Sequence, residues 1–201
     1  MHQPSQLLFL PGASGSTAFW EPLANRISID VKRLIVGYPG FGQEPVDPAI
    51  SCFEDLVDRV VRYIDQPTAI IAQSMGGVIA MHATLKRPDL VTHLVLTVTS
   101  GGIDMNEFGA ADWRADLVAA NPHFPDWFVT LKSDLANELR GITQPVLLLW
   151  GDADPYSPVA VGRRLSELIP RAQLHIVSGG EHDLANVYAA DIADLVNAHL
   201  A

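Results

Sequence analysis

Residues 69–78 read Ala-Ile-Ile-Ala-Gln-Ser-Met-Gly-Gly-Val. An apolar run of strand length ends in a polar residue, a serine and two glycines, and a helical pattern opens at Val78. Strand, sharp turn and helix with serine at the tip is the G-x-S-x-G elbow, here with Ala72 in place of the first glycine. Such a turn forces the serine into a sparsely populated backbone conformation. It also brings the entering strand and the leaving helix nearly into contact, so the flanking residues must be small. Ala72, two before Ser74, and Gly76, two after it, meet that need. The Ser74 hydroxyl is then expected above the sheet, with the backbone N–H of Met75 pointing into the same site.

The rest of the chain alternates between two periods. Apolar runs of strand length lie at residues 7–10, 33–36, 68–72, 94–98, 146–150 and 174–177, with helical patterns between most of them. Strand–helix alternation predicts a mainly parallel, doubly wound α/β sheet covered on both faces. The near-continuous apolar runs fit strands buried on both sides. Ser51-Cys52-Phe53-Glu54 reads as a capping box opening a helix with Phe53, Leu56, Val57, Val60, Val61 and Ile64 on one face. Pro22 marks the first turn of an early helix, and Pro88 stops the elbow helix near Arg87. A helix over about 158–169 and a final helix presenting Leu184, Val187, Ile192, Leu195 and Val196 complete the pattern.

Residues 103–143 break the rhythm. They hold Phe108, Trp113, Phe124, Trp127 and Phe128 among Asn, Asp and Pro, with no strand pattern. An insert of this kind covers core, or forms a small helical lid over an apolar site, or does both. Trp113, Phe124, Trp127 and Phe128 are the candidate substrate contacts. The chain is expected to be a single domain over 1–201 with this lid insert inside it, a length that buries a sizeable core.

Charge and composition exclude some partners. A net charge of −10 opposes nucleic acid, which would favour a basic face, and mildly disfavours strongly anionic substrates. Cys52 is the only cysteine, so an intrachain disulfide is excluded. The opening Met-His-Gln-Pro-Ser-Gln has no basic region, and the apolar run at 7–10 is too short for a signal core. No segment reaches the roughly 20 apolar residues of a membrane helix. A cytoplasmic protein without membrane association is expected. The loop Pro11-Gly12-Ala13-Ser14-Gly15-Ser16 lacks a Gly-Lys-Ser/Thr ending, which argues against a nucleotide site. His82 reads as a packed or surface histidine. His2, His93, His123, His175 and His199 have no metal-ligand spacing, so no metal or cofactor is expected.

Nucleophilic catalysis needs a hydroxyl, a base for its proton and an acid to orient the base. Ser74, Asp154 and His182 each lie in a loop after a different strand. Their order is that of the α/β-hydrolase arrangement. In a parallel sheet those loops share the carboxyl edge, where ligands bind.

With Leu-Pro-Gly-Ala-Ser-Gly-Ser followed by Trp20, Tyr-Pro-Gly-Phe-Gly, Ala-Gln-Ser-Met-Gly-Gly, Trp-Gly-Asp-Ala-Asp-Pro-Tyr-Ser-Pro and Gly-Gly-Glu-His, the chain resembles the α/β-hydrolase superfamily over nearly its whole length. It looks most like small serine carboxylesterases and related acyl hydrolases. The resemblance begins at the family's third strand and leaves a six-stranded parallel sheet, with the strand at 7–10 between those at 33–36 and 68–72. The edge strand near Arg33 then needs charged protection or a second subunit, so monomer and homodimer both stand. The family's Gly-x-x-Asp pattern selects Asp154 over Asp152, with Asp104 as the runner-up acid. It also implies an oxyanion hole from the N–H groups of Ala13 and Met75. Family members usually carry His-Gly where this chain has Pro11-Gly12. The implied activity is cleavage of a carboxylic ester or thioester of a small apolar-chain substrate through an acyl-enzyme. Ser74 argues against epoxide opening and dehalogenation, which use an aspartate nucleophile. A C–C bond hydrolase or lyase with the same triad remains open, as does a non-catalytic ligand sensor.

Overall fold

A computed structural model describes residues 3–120 and 124–201, so His2 and His123 lie outside the described residues. Six parallel strands form one sheet: β1 Gln6–Leu10, β2 Lys32–Ile35, β3 Thr68–Gln73, β4 Val91–Thr97, β5 Val146–Gly151 and β6 Ala172–Val177. Their spatial order is β2-β1-β3-β4-β5-β6, with Leu8 of β1 aligned on Leu34 and on Ile70. The chain steps outward from β1 to β2 and then returns to the other side of β1 for β3. The order therefore reverses between β1 and β3, the crevice where open α/β sheets bind ligands.

Burial explains the apolar runs. Every residue of β1, β3 and β5 is buried, because helices cover both faces. The helices are α1 Glu21–Ala24, α2 Phe53–Val61, α3 Met75–Lys86, α4 Arg114–Ala120, α5 Asp126–Val129, α6 Val159–Leu168, α7 Leu184–Val187 and α8 Ala189–Leu200, with α4 and α5 in the insert between β4 and β5. A 3-10 turn at Thr17–Trp20 leads into α1, and another occupies Glu138–Gly141. The edge strand β2 is half open to solvent and carries exposed Lys32 and Arg33. Arg33 folds back to donate to the carbonyls of Ile27 and Ile29 at 2.7 and 3.0 Å, which keeps a charge along that edge.

Two local expectations need correction. The capping box sits one residue later than Ser51 and Glu54 suggest. Cys52 is the N-cap of α2, and the Asp55 carboxylate accepts from the N–H of Cys52 and from the N–H and hydroxyl of Ser51. The shorter aspartate reaches back to two successive amides, so Glu54 is released to pair with Lys86. The final helix is also two pieces, broken at Tyr188, and Val187 is 62% exposed instead of facing the sheet.

β4 buries His93 at 5% exposure, with its ring against that of His199 at 5.4 Å and its Nδ1 unpartnered. His199 donates from Nε2 to the carbonyl of Leu94 at 3.0 Å. Burial, reinforced by His199 and Arg171, pushes the His93 pKa down to about 4. The unfolded chain takes up this proton near its ordinary value of about 6.5, while the folded chain refuses it. Stability conferred by neutral His93 is therefore complete above about pH 6.5 and is lost progressively as pH falls to about 4. The loss is on the order of 3 kcal/mol across that window, since a tenfold change in proton affinity is worth about 1.4 kcal/mol. Thermal melting followed from pH 7 to pH 4 should show this decline. His93→Leu, which gives up no partner at Nδ1, should flatten it; an unchanged slope in that variant would assign the decline to other groups.

Candidate active site

The site begins at the end of β3. Ser74 has φ 53° and ψ −119°, a left-handed conformation that a non-glycine residue adopts only under constraint. Four contacts impose it. The Ser74 N–H donates to the Thr97 carbonyl at 3.1 Å. Its own carbonyl accepts from the Thr99 hydroxyl at 2.6 Å and from the Gly77 N–H at 3.0 Å. Gly76 lies so close to the Leu10 and Pro11 carbonyls that a Cβ there would collide with both. The elbow is thus pressed against the end of β1, as the small-neighbour requirement predicts.

Three side chains meet above this turn. His182 Nε2 lies 3.0 Å from Ser74 Oγ, and His182 Nδ1 lies 2.7 Å from Asp154 Oδ2. The Asp154 side chain has no solvent exposure, and its other oxygen accepts the Tyr156 N–H at 2.8 Å. An acceptor-only carboxylate at Nδ1 fixes the proton there, so Nε2 is left with a lone pair facing the serine hydroxyl. The Tyr156 ring packs edge-on against His182 at 5.3 Å.

Asp152 and Asp104 do not reach the imidazole. Asp152 joins the loop carrying Asp154 to the loop carrying His182 instead: its Oδ1 accepts the Gly179 N–H at 2.6 Å, while the Ala153 N–H donates to the Gly180 carbonyl at 3.0 Å. Trp150 pins the Asp154 loop back onto its own strand, from Nε1 to the Ser157 carbonyl at 3.0 Å. Asp104 is exposed, and its carboxylate accepts from the backbone and side-chain N–H groups of Asn106.

Ala13 and Met75 both line the cleft beside Ser74. Met75 is the first residue of α3, so its N–H precedes any intrahelical acceptor and carries the positive end of the helix dipole. The loop bearing Ala13 is braced where its sequence departs from the family pattern. The fully buried Tyr38 hydroxyl donates to the Pro11 carbonyl at 3.1 Å, and burial holds the Tyr38 pKa well above its ordinary value, so it stays a donor. The sequence does not disclose this role of Tyr38, because the contact joins residues 27 apart through the fold.

The cleft has a volume of about 1100 Å³. Its apolar wall includes Val78, Val98, Ile103, Trp113, Phe128 and Leu131. Val98 is a buried β-branched residue at φ 42°, a second strained position beside Ser74. The outer part of the cleft carries Asp104, Asp112, Asp134, Arg114 and Lys132, with Arg114 bonded to Asp112 at 3.1 Å. Of the four aromatic candidates, Trp113 and Phe128 line this cleft and stack on each other at 5.3 Å. Phe124 does not line it; it packs between Phe41 and Phe128. Trp127 faces a separate hollow of about 360 Å³ beside Phe53 and His82. Adjacent residues on a helical turn point to different sides, so Trp127 and Phe128 cannot both face the cleft.

A family model described as the alpha/beta hydrolase family matches residues 7–128. The chain belongs to the alpha/beta hydrolase family. This hydrolase is 27% identical to a pimeloyl-[acyl-carrier protein] methyl ester esterase of Aliivibrio salmonicida (strain LFI1238), covering 89% of this chain and 85% of the relative. It is 26% identical to a 2-hydroxy-6-oxononadienedioate/2-hydroxy-6-oxononatrienedioate hydrolase of Cupriavidus pinatubonensis (strain JMP 134 / LMG 1197), covering 86% and 77%. A solved lipase-esterase related protein from Clostridium acetobutylicum ATCC 824 superposes on this hydrolase with a TM-score of 0.76 at 20% identity, covering 98% of this chain and 95% of that one. That likeness carries the fold. Among the described residues, no helix is long and apolar enough to cross a membrane, and no group of three or more His, Cys, Asp or Glu side chains forms a metal cradle.

Proposed function

We propose that this hydrolase is a serine esterase, acting on a carboxylic ester or thioester with a small apolar chain through an acyl-enzyme. The observation that carries this reading is the unbroken relay of 2.7 and 3.0 Å from Asp154 through His182 to Ser74. His182 takes the Ser74 proton from Nε2 as Oγ attacks the carbonyl carbon. Asp154 holds the imidazole tautomer and stabilises the cation that forms. The N–H groups of Ala13 and Met75 receive the oxyanion, each contributing roughly 3–4 kcal/mol in comparable sites. His182 returns the proton to the leaving alkoxide, then activates water to release the acid. Residues 103–143 act as the lid, and Trp113 and Phe128 supply the apolar surface against which the chain lies. Cleavage of a C–C bond by the same three groups is the second reading, favoured by the relative that is named as such a hydrolase.

A fluorophosphonate probe tests the nucleophile, and a panel of esters, thioesters and lactones of increasing chain length tests the substrate class. Stoichiometric labelling at Ser74 with turnover of short activated esters is expected. An unlabelled protein would favour a ligand sensor, and labelling without turnover of any ester or thioester would favour the C–C reading.

A further inference from the structure

Gln73 is the last residue of β3 and the immediate neighbour of Ser74, and it is only 6% exposed. A buried amide is expected to find partners, because leaving its donors unpaired is costly to the fold. One partner is the backbone carbonyl of His182, which accepts from Gln73 Nε2 at 3.1 Å across 109 residues of sequence. At its other end, Gln73 Oε1 lies against Gly12, so close that a Cβ at Gly12 would overlap it. The same imagined Cβ would stand 3.2 Å from Ser74 Cβ. Reversing the amide would set Oε1 against the His182 carbonyl, acceptor to acceptor, so only one orientation satisfies the contact. One side chain therefore touches the backbone of the base-bearing loop and the glycine of the loop carrying Ala13, and it grows from the residue next to the nucleophile.

We infer that Gln73 is a positioning residue that fixes His182 and the residue 11–13 loop relative to Ser74. This rests on the serine reading above and goes beyond it, because Gln73 transfers no proton. Asp154 orients the His182 ring through Nδ1, and Asp152 and Ala153 hold the loop at Gly179 and Gly180, but none of these contacts touches the His182 carbonyl. The Gln73 amide holds that carbonyl itself and so sets the backbone from which the imidazole grows. It also accounts for glycine at position 12, where any side chain would push the amide off the His182 carbonyl.

Gln73→Met tests this, since it keeps length and volume while removing both polar ends. One neutral hydrogen bond contributes little net to the fold, so melting should move by only a few degrees. A displacement of the base of order 1 Å costs up to 100-fold in rate. The expected result is a 10- to 100-fold loss in kcat on a short activated ester, KM within about twofold, and a matching loss in the rate of phosphonate labelling at Ser74. A purely structural role would lower the melting temperature and leave kcat intact, and a substrate contact would raise KM; either outcome overturns the inference. Gln73→Leu also removes both polar ends without adding a charge, so it carries the same comparison if the methionine variant does not fold. Failure of the serine reading shows separately, as an unlabelled wild-type protein. In that case the His182 carbonyl carbon resonance decides: it moves on Gln73→Met if the clamp exists and stays in place if it does not.

Discussion

Ser74→Ala should reduce turnover of a short activated ester by about 10⁵- to 10⁶-fold, the range seen when the nucleophile of a serine triad is removed. The substitution deletes one oxygen whose hydrogen-bond partner is His182 Nε2 at 3.0 Å. It leaves untouched the backbone contacts that hold the elbow, namely Thr97 to the Ser74 N–H and Thr99 and Gly77 to its carbonyl. The variant should therefore fold and melt close to the parent, which separates chemical loss from structural loss. It should also retain affinity for a non-hydrolysable analogue, because the apolar wall and the Ala13 and Met75 amides remain. Turnover is measured against a heat-inactivated control, and labelling by the phosphonate probe is read on the same preparations. Undiminished turnover in Ser74→Ala would sink the assignment, whatever the geometry of the remaining groups.

The fold and the three polar groups are legible in the sequence for a common reason. Strands buried on both faces are mostly apolar, so β1, β3 and β5 stand out as runs, and what interrupts each run marks a loop at the carboxyl edge. Ser74 and Asp154 sit at two such interruptions, after β3 and β5, and His182 follows the largely open edge strand β6. The start of β4 is hidden, because Thr92 and His93 look like a loop, although His93 is buried against His199. What the sequence does not disclose is the layer behind the site. The Tyr38 hydroxyl on Pro11, the Thr99 hydroxyl on Ser74 and the Gln73 amide on His182 join residues 27, 25 and 109 positions apart. Each is a polar group in an apolar setting, which signals a partner without saying which one. The aromatic insert is legible as an insert, but which ring faces the cleft depends on helical phase in four-residue α5. That is why Phe128 lines the cleft and Trp127 does not.

Asp154→Asn should cost about 10⁴-fold in kcat with little change in fold, as for the equivalent change in other serine triads. The carboxylate accepts twice, from His182 Nδ1 at 2.7 Å and from the Tyr156 N–H at 2.8 Å. An amide of the same shape has one acceptor oxygen and one donor nitrogen. If its oxygen stays on the Tyr156 N–H, its NH₂ faces Nδ1 and forces the imidazole proton onto Nε2. His182 then presents a donor to Ser74 and cannot take its proton. If the amide flips, the imidazole keeps its tautomer, but NH₂ meets the Tyr156 N–H donor to donor in a pocket closed to solvent. The first arrangement strains nothing and should dominate, so the loss falls on kcat while KM stays near the parent value. Asp154→Asn should then melt within a few degrees of the parent and label slowly with the phosphonate probe. Asp104→Asn serves as the control, because Asp104 lies on the cleft but bonds only to Asn106 and should leave kcat within about twofold. A reversed ranking of these two variants would move the acid of the relay to Asp104 and require the loop after β4 to swing onto His182.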